Sequence, residues 1–581
     1  MYKIIIYLFI FYLSSITICA MDDSELWPDP GDGNLKIVHP AYDIDTIHPT
    51  GFDPYVSGLD FLSDGRLVIC TYPDPGTSYK TEGDVYILDN LHTGNRENIE
   101  VTRFATGFAG SLGLTVVDDV IYVRDRQNLH KLVPKAGELA ELVGIEEPYK
   151  SDGHPSVYDV IHRDGVFYTM WGKTYRPFNG LSETNIKTGE KKFYSTGFRN
   201  PDGIAFGPEG EIFTTDQQGN WLPANKLIHV KKDRFYGYYR DGFNETKKET
   251  PPALYLPQGE GGLSPTGLVF VEKGRYAGQM FMGDMRLSNI TRGFLEKVNG
   301  EYQGAAFLFS GGFESGPHRL KFGPDGHLYV GCIGGTAHYT WNWRNQFTGL
   351  QRLRKNGKEI FEMIAVRSLT DGFEIEFSEE VNEEANDFEK YVVLSWGYTP
   401  TEAYGGPKIG LKKMTINAID VSADKKKVTL KIDSLIAGKV INIKLIDYKS
   451  LAEKPVWTAE TWYTLNAIGP AAVVGCLDTM YNEYNPNSTY DDGVQCKTVD
   501  LIGQGKMKSS VSWFQISGRN INIKKSGEHR ITVRDIRGKP VMKRNGWGHT
   551  TYQLDRALDV GVYVVELKVG GVSTKRQAFI F

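Results

Sequence analysis

The sequence predicts an all-β protein: a six-bladed β-propeller, followed by an immunoglobulin-like β-sandwich and a small C-terminal β-sandwich. Three observations predict it. The 581 residues include 64 Gly, and 12% of the chain is aromatic, which is typical of turn-rich β-structure. Short apolar runs alternate with polar residues along most of the chain. A strand-turn-strand phrase also recurs through the first two thirds of it.

Each copy of this phrase has an apolar run, a turn that usually contains an acidic residue and Gly, and a second apolar run. The copies recur at roughly fifty-residue intervals, which is the spacing of propeller blades. They cover residues 59–69, 114–123, 157–168, 203–213, 267–274 and 320–330. We therefore predict six blades over residues 36–355. Two β-sandwiches that happen to share Asp-Gly turns are the alternative, but repetition of the whole phrase favours a propeller.

The sequence style changes at Phe361 to short strands with alternating charges, which predicts an immunoglobulin-like sandwich over residues 359–466. Residues 475–496 are rich in Asp and Asn. Cys476 and Cys496 flank this segment, and we expect them to form a disulfide that closes a short linker. A calcium-binding loop is the alternative for the same residues.

The two ends of the chain predict export. Residues 1–20 combine Lys3 with an apolar block and small residues, the layout of a secretory signal peptide cleaved after Ala20. A lipoprotein anchored through Cys19 is the alternative. The formal net charge of -5 gives no basic excess, so nucleic acid is not an expected partner.

Residues 505–581 end in cleanly alternating strands. They carry the phrases Asp535-x-x-Gly538-x-x-Val541 and Gly561-x-Tyr563-x-x-x-Leu567. This segment resembles the C-terminal sorting domain of the type IX secretion system. The resemblance implies that secretion machinery carries the protein across an outer membrane, for release or attachment to the cell surface. A β-sandwich with no targeting role is the alternative.

The run from Arg199 to Gly210, Arg-Asn-Pro-Asp-Gly-Ile-Ala-Phe-Gly-Pro-Glu-Gly, carries a second resemblance. It is similar to a phrase of soluble quinoprotein glucose dehydrogenases and the related glucose/sorbosone dehydrogenases. Those are six-bladed propellers that bind pyrroloquinoline quinone (PQQ) and Ca²⁺ at one end of the channel. The match covers about residues 36–355. It implies that Arg199 and Asn200 lie against the quinone, where a guanidinium stabilises developing negative charge; the alternative is a pair that ties blades together.

Gln218-Gly219-Asn220 resembles the calcium segment of this family. The resemblance implies that Gln218 lies in the cofactor site and that the carbonyls of Gly219 and Asn220 bind Ca²⁺. The family has acidic residues after this segment, whereas this chain continues with Trp221. Asp216, the nearest remaining carboxylate, is either a substrate contact or a turn cap.

Four further residues follow from the same resemblance. His154 aligns with the general base that takes a proton from the sugar hydroxyl, a role suited to imidazole at neutral pH. Arg286, His318 and Arg319 align with cofactor-binding cations. The family has two Arg where this chain has His318 and Arg319, so the match there is partial. Polar surface is the alternative for His154, and solvated or blade-bridging cations are the alternative for the other three.

Tryptophans in predicted loops, Trp171, Trp221, Trp341 and Trp343, suggest exposed indoles that stack on sugar rings, with packing at blade edges as the alternative. We predict an exported PQQ-dependent dehydrogenase of sugars or alcohols that passes electrons to a separate acceptor. A carbohydrate-binding or glycan-cleaving propeller that has lost the cofactor is the rival, favoured by the missing acidic residues. A surface docking platform is a third possibility.

Overall fold

The computed structural model describes most of the chain from residue 37 onward. The described residues are 37–72, 83–146, 157–172, 179–239, 248–334, 347–469, 481, 483, 514–517, 519–524, 527–535, 539–554, 561–569 and 572–580. The predicted signal peptide, His154, Trp341, Trp343, Cys476 and Cys496 all lie outside them. Contacts divide the chain into two compact units, residues 1–472 and 473–581.

Six antiparallel sheets form the propeller, which confirms the predicted fold class. The β-strands are numbered in chain order. The first of them, β1, closes the ring and is described with blade 6. Blade 1 contains β2 (Val56–Phe61), β3 (Leu67–Thr71), β4 (Gly83–Asp89) and β5 (Glu100–Phe108). Blade 2 contains β6 (Gly113–Val117), β7 (Val120–Arg124), β8 (Leu129–Lys135) and β9 (Glu138–Gly144). Blade 3 contains β10 (Val157–Arg163), β11 (Val166–Trp171), β12 (Gly180–Asn185) and β13 (Lys191–Thr196).

The other three blades follow the same plan. Blade 4 contains β14 (Ile204–Phe206), β15 (Ile212–Asp216), β17 (Ala224–His229) and β18 (Leu254–Pro257), with the short β16 (Asn220–Trp221) outside its sheet. Blade 5 contains β19 (Pro265–Phe270), β20 (Met280–Asp284), β21 (Asn289–Val298) and β22 (Glu301–Ser310). Blade 6 contains β23 (Pro317–Phe322), β24 (Leu328–Ile333), β25 (Thr348–Lys355) and β1 (Tyr42–Thr46).

The first strand of each blade lines the axial channel. These inner strands contact each other in sequence order, and β23 returns to contact β2. The ring is closed by β1, which pairs with β25 over five residues although it precedes blade 1. Gly203 allows a close approach between blades 4 and 5, since a Cβ there would lie 2.3 Å from the Thr266 carbonyl oxygen.

The sandwich is joined to the propeller through hydrogen-bonded strands. Its strands are β26 (Met363–Leu369), β27 (Gly372–Phe377), β28 (Tyr391–Gly397), β29 (Thr401–Tyr404), β30 (Ile409–Lys413), β31 (Ile416–Val421), β32 (Lys427–Ile432), β33 (Lys439–Leu445) and β34 (Glu460–Leu465). One sheet has the order β26-β27-β32-β31. In the other, β34-β33-β28-β30 continues the sheet of blade 5 because β34 pairs with β22. The sandwich and blade 5 therefore share an eight-stranded sheet.

The second compact unit is a small β-sandwich. Its strands are β35 (Phe514–Ser517), β36 (Asn520–Ile523), β37 (Glu528–Asp535), β38 (Pro540–Trp547), β39 (Thr551–Gln553), β40 (Gly561–Val569) and β41 (Val572–Ile580). They form sheets in the orders β35-β36-β39 and β38-β37-β40-β41. Ile521, Ile531, Val533 and Leu567 form part of its buried core.

Helical structure among the described residues is limited to short 3-10 turns at Leu91–Thr93, Arg96–Asn98, Pro208–Gly210, Glu383–Asn386 and Phe388–Lys390. In the part of the chain that the structure describes, no helix has the length and apolar character needed to cross a membrane.

Candidate active site

Two neighbouring segments of blade 4 and one segment of blade 6 meet at one end of the propeller channel. Residues 199–203 lead into β14, residues 216–221 follow the end of β15, and His318 and Arg319 lie in β23. Antiparallel pairing of β14 with β15 places the start of one strand beside the end of the other. We call this the entry end of the channel. The turn end is the opposite one, where Pro208–Gly210 joins β14 to β15.

Asp216 fixes the backbone of Arg199 and Asn200. Its carboxylate accepts hydrogen bonds from the Asn200 N–H at 2.7 Å and the Arg199 N–H at 3.1 Å. The side chain is fully buried. Burial raises the pKa of Asp216, although Lys226 and the two N–H donors act in the opposite direction. These contacts are those of the turn-cap alternative for Asp216, and its contact with a substrate stays a prediction.

The Arg199 side chain places a guanidinium at the entry end. Its Nε donates to Asn220 Oδ1 at 2.9 Å, and its Nη1 donates to the Gln217 carbonyl at 3.0 Å. The amide of Asn200 lies 3.2 Å from both the Tyr158 hydroxyl and Arg199 Nη1. Because these acceptors are neutral, they orient the guanidinium without neutralising its charge. Arg199 is half-buried and Asn200 is buried.

A buried ion cluster centred on Asp202 lies next to this pair. His318 Nε2 is 3.3 Å and Arg319 Nη1 is 3.2 Å from Asp202 Oδ1, and Gln217 Nε2 donates to Oδ2 at 3.2 Å. Burial favours a higher pKa for Asp202, but His318 and Arg319 outweigh it and lower the pKa below its ordinary value. Sequence reasoning missed Asp202, although it occupies the variable position of the Arg-Asn-Pro-x-Gly phrase.

Arg319 also bridges blades. It donates to the Leu112 carbonyl between blades 1 and 2, and its Nε lies 3.6 Å from Asp159 Oδ2 in blade 3. These contacts are the ones expected if Arg319 is a cation that bridges blades, the alternative given for it above. The predicted role of His318 and Arg319 in binding a cofactor stays a prediction, because both already face a protein carboxylate.

One buried donor of residues 216–221, Gln218 Nε2, has no hydrogen-bond partner within the described residues. Gln218 is 1% exposed. Buried polar atoms are nearly always hydrogen-bonded to protein, water or ligand. Gln218 Nε2 is therefore a position where a bound water or a ligand acceptor fits.

Arg286 follows β20 and is buried. Its backbone N–H donates to Asp284 Oδ1 at 3.0 Å. The adjacent Met285 packs in a cluster that includes Tyr72, Tyr158 and Ile333. Arg286 thus follows a residue of the cluster that also contains Tyr158, and its contact with a cofactor stays a prediction.

The expectation of exposed indoles is wrong for the two tryptophans that the structure describes. Trp171 lies in β11, is fully buried, and donates its indole N–H to Ser182 Oγ at 2.6 Å. Trp221 is 4% exposed, and its ring packs against Tyr239 with centroids 5.3 Å apart. Trp171 packs inside blade 3, whereas Trp221 lies in β16, which pairs with β29 outside the sheet of blade 4.

A segment of the sandwich covers Gly219 and Asn220. We call residues 398–408, between β28 and β30, the strap; it contains β29, which pairs with β16. The Gly219 carbonyl accepts a hydrogen bond from the Gly405 N–H at 2.8 Å, and the Asn220 carbonyl accepts one from Leu222 at 2.9 Å. The ring of Tyr404 lies over Gly219, and its centroid is 5.4 Å from Arg199 Cζ.

The turn end of the channel holds a separate cavity of about 530 Å³. Apolar side chains of the inner strands line it, together with charged residues that include Asp159, Arg163, Arg319 and Lys321. Burial raises the pKa of Asp159 to about 6, while Arg319 acts to lower it. The cavity and the Arg199 segment therefore lie on opposite sides of the Asp202 cluster.

No protein-family model matches the chain, and neither does any curated protein. Among solved structures, an oxidoreductase (glucose dehydrogenase) from Thermus thermophilus is 18% identical, covers 54% of this chain and 100% of its own, and has a TM-score of 0.41. The PQQ-bound aldose sugar dehydrogenase of Streptomyces coelicolor is 16% identical over 54% of this chain and 100% of its own, with a TM-score of 0.38.

A different enzyme, the α-L-arabinanase of Penicillium chrysogenum, is 9% identical over 56% of this chain and 98% of its own, with a TM-score of 0.32. Likenesses at this distance cover about half of the chain and carry no information about activity.

The resemblance implies two bound groups, PQQ and Ca²⁺, and the residues present can be compared with the chemistry of each. PQQ is a polycarboxylate with quinone oxygens, and the Arg199 guanidinium together with the buried donor of Gln218 suits such an acceptor-rich molecule. Calcium at Gly219 and Asn220 does not fit. Both carbonyls already accept N–H donors, and the Tyr404 ring fills the space over Gly219.

Proposed function

We propose that the chain is an exported, PQQ-dependent dehydrogenase that oxidises a sugar or an alcohol. The observation that carries this proposal is the Arg199 guanidinium, which is half-exposed at the entry end and is oriented by neutral acceptors. A cation oriented before the reaction stabilises negative charge as it develops on an acceptor.

The residues that would hold PQQ are Arg199, Asn200, Gln218, Arg286, His318 and Arg319. When bound, PQQ supplies a hydride acceptor. Asp216 keeps Arg199 and Asn200 in place through their backbone N–H groups, and the Asp202 cluster holds His318 and Arg319. His154, outside the described residues, is the proposed base that takes the carbinol proton.

Export and electron transfer belong to the same proposal. The N-terminal signal peptide would direct the chain out of the cytoplasm, and the C-terminal sorting domain would engage type IX secretion machinery for release or surface attachment. A separate carrier would receive the electrons. Secretion of a reporter fused to residues 505–581, compared with the same reporter without them, tests the sorting role.

Reconstitution with PQQ tests the activity. We expect an absorbance change on binding and dye reduction with at least one substrate from a panel of sugars and alcohols. Arg199→Ala is expected to lower kcat/KM by about 10²–10³-fold through loss of charge stabilisation. Arg199→Lys should recover part of this loss, and His154→Ala should lower kcat.

Arg103→Ala is the matched control because it removes an exposed guanidinium of β5, far from the entry end. Absence of both PQQ binding and dye reduction across the panel would refute the proposal. In that case the non-oxidative carbohydrate-binding propeller becomes the next hypothesis, and glycan binding by the same protein tests it.

A further inference from the structure

The strap is anchored at both of its ends. At one end, the ring of Tyr398 packs against Tyr255 of blade 4, with centroids 5.4 Å apart. At the other end, Lys408 forms an ion pair with Glu260, and its Nζ lies 4.1 Å from the ring centroid of Trp396. These contacts hold both ends of the strap against the propeller.

Backbone pairing joins the middle of the strap to the segment that follows β15. Asn220 pairs with Tyr404 and Trp221 pairs with Thr401 in antiparallel register. Trp221 has a φ of 69°, in the left-handed region that a bulky residue rarely adopts. Such a conformation persists only where its surroundings enforce it, and the pairing with Thr401 provides that constraint.

The absence of a side chain at position 219 is required for this docking. A Cβ on Gly219 would lie 2.2 Å from Tyr404 Cε2, and its three nearest atoms all belong to the Tyr404 side chain. Gly219 does not have a positive φ, so local backbone strain is not the reason for glycine here. The ring and the glycine therefore fit each other specifically.

We propose that the strap takes the place that a calcium ion would hold, so that the segment from Gln217 to Trp221 is organised by protein N–H donors and the Tyr404 ring. Calcium would need the Gly219 and Asn220 carbonyls as ligands at about 2.3–2.6 Å. Here the Gly405 and Leu222 N–H groups bind those carbonyls instead.

The strap also reaches Arg199 through Asn220. The Asn220 side chain accepts from Arg199 Nε at 2.9 Å, while the backbone of Asn220 is paired with Tyr404. The ring of Tyr404 faces the same guanidinium at 5.4 Å. Tyr404 is therefore a positioning residue for Arg199. Its effect on catalysis rests on the proposed function, whereas its effect on the segment does not.

Hydrogen exchange on the full chain tests the docking directly. The Gly405 amide, which donates to the Gly219 carbonyl, should exchange slowly in the wild type. Gly219→Ala should displace Tyr404 and speed exchange at Gly405 by about tenfold or more. The double variant Gly219→Ala/Tyr404→Ala should recover much of the protection because the clash is gone. Glu402→Ala is the control, because that side chain is exposed and only its carbonyl contacts Asn220.

Calcium titration gives the second arm. We expect millimolar Ca²⁺ and a chelator to leave exchange at residues 217–222 and Gly405 unchanged. Calorimetry should detect no stoichiometric Ca²⁺ binding by the wild type that is lost in the Gly219→Ala variant. Increased protection of these residues on adding Ca²⁺, or unchanged Gly405 exchange in Gly219→Ala, would overturn the inference.

The two proposals fail separately. If the wild type binds no PQQ, the redox function fails, and exchange and calcium binding still decide the role of the strap. If PQQ binds, its Kd should rise about tenfold or more in Gly219→Ala and recover in the double variant, while Glu402→Ala leaves it unchanged. A Kd that falls when calcium is added and rises again on chelation would contradict the strap proposal while supporting the redox one.

Discussion

Asp159 illustrates at the scale of one residue how the channel balances buried charge. Its carboxyl lies between the cavity at the turn end and the Arg319 guanidinium, 3.6 Å away. Burial raises its pKa to about 6, so the folded protein binds a proton there more tightly than the unfolded chain does. The ionised form therefore costs stability, in contrast to the lowered pKa of Asp202.

Asp159→Asn is predicted to stabilise the protein at neutral pH. Relative to the wild type, the gain should be on the order of 2–3 kcal/mol above pH 6, because a pKa shift of one unit corresponds to about 1.4 kcal/mol. The gain should shrink as the pH falls from about 6 towards 4, where the wild-type carboxyl becomes protonated in the folded state. Urea unfolding at several pH values measures it, with exposed Glu138→Gln as the control. A difference that does not vary with pH would contradict this assignment.

The residues of the candidate site could be predicted where the chain itself brings them together. Arg199 and Asn200 could be found because their phrase is contiguous, and Asp216 because it is the carboxylate nearest to Gln218 in the sequence. Asp202 and Tyr404 were missed for different reasons. A buried acid in a turn looks like a solvated one in sequence, and the spacing of Tyr404 gives no indication that it docks over Gly219, 185 positions earlier.

At the scale of single elements, the blades were predictable because each one is built from local hairpins. A turn with Gly or Asp between two apolar runs specifies antiparallel pairing of neighbours, and six such turns specify six blades. The strand that closes the ring is different. β1 pairs with β25 across about 300 residues, and nothing in its own five residues indicates that partner.

Removing β1 is predicted to weaken the whole ring. A chain that begins at residue 48 lacks the five ladder pairs with β25 and the Asp45 carboxylate that bonds Arg352 and Arg354. Its thermal midpoint should be lower by at least about 5 °C than that of a chain beginning at residue 37. Adding a synthetic peptide of residues 37–47 should restore part of the loss. Equal midpoints for the two chains would show that β1 does not close the propeller.

At the scale of the whole first unit, the propeller and the sandwich share a sheet and a core. The β22 residues Gly304 to Phe307 pair with Thr464 to Thr461 of β34, and the Thr461 hydroxyl donates to the Ala306 carbonyl 155 residues earlier. Phe294, Ala305 and Phe307 of blade 5 pack in one core with sandwich residues such as Phe373 and Tyr463. The sequence predicts both folds, but as separate domains, because pairing between strands about 155 residues apart leaves no local pattern.

The shared sheet predicts that the propeller does not exist as a soluble domain by itself. A chain ending at residue 358 would expose the pairing edge of β22 and the apolar side chains of Phe294 and Phe307, which favours aggregation. A chain ending at residue 469 keeps both covered and should unfold in a single calorimetric transition. Val428 lies in the buried core of the sandwich. Val428→Ala should lower the unfolding midpoint by the same amount whether a signal from the propeller or one from the sandwich is followed. If Val428→Ala instead shifted one of two separate transitions, the sheet would not couple the propeller to the sandwich, and the strap would be held by a domain able to unfold independently of the site it covers.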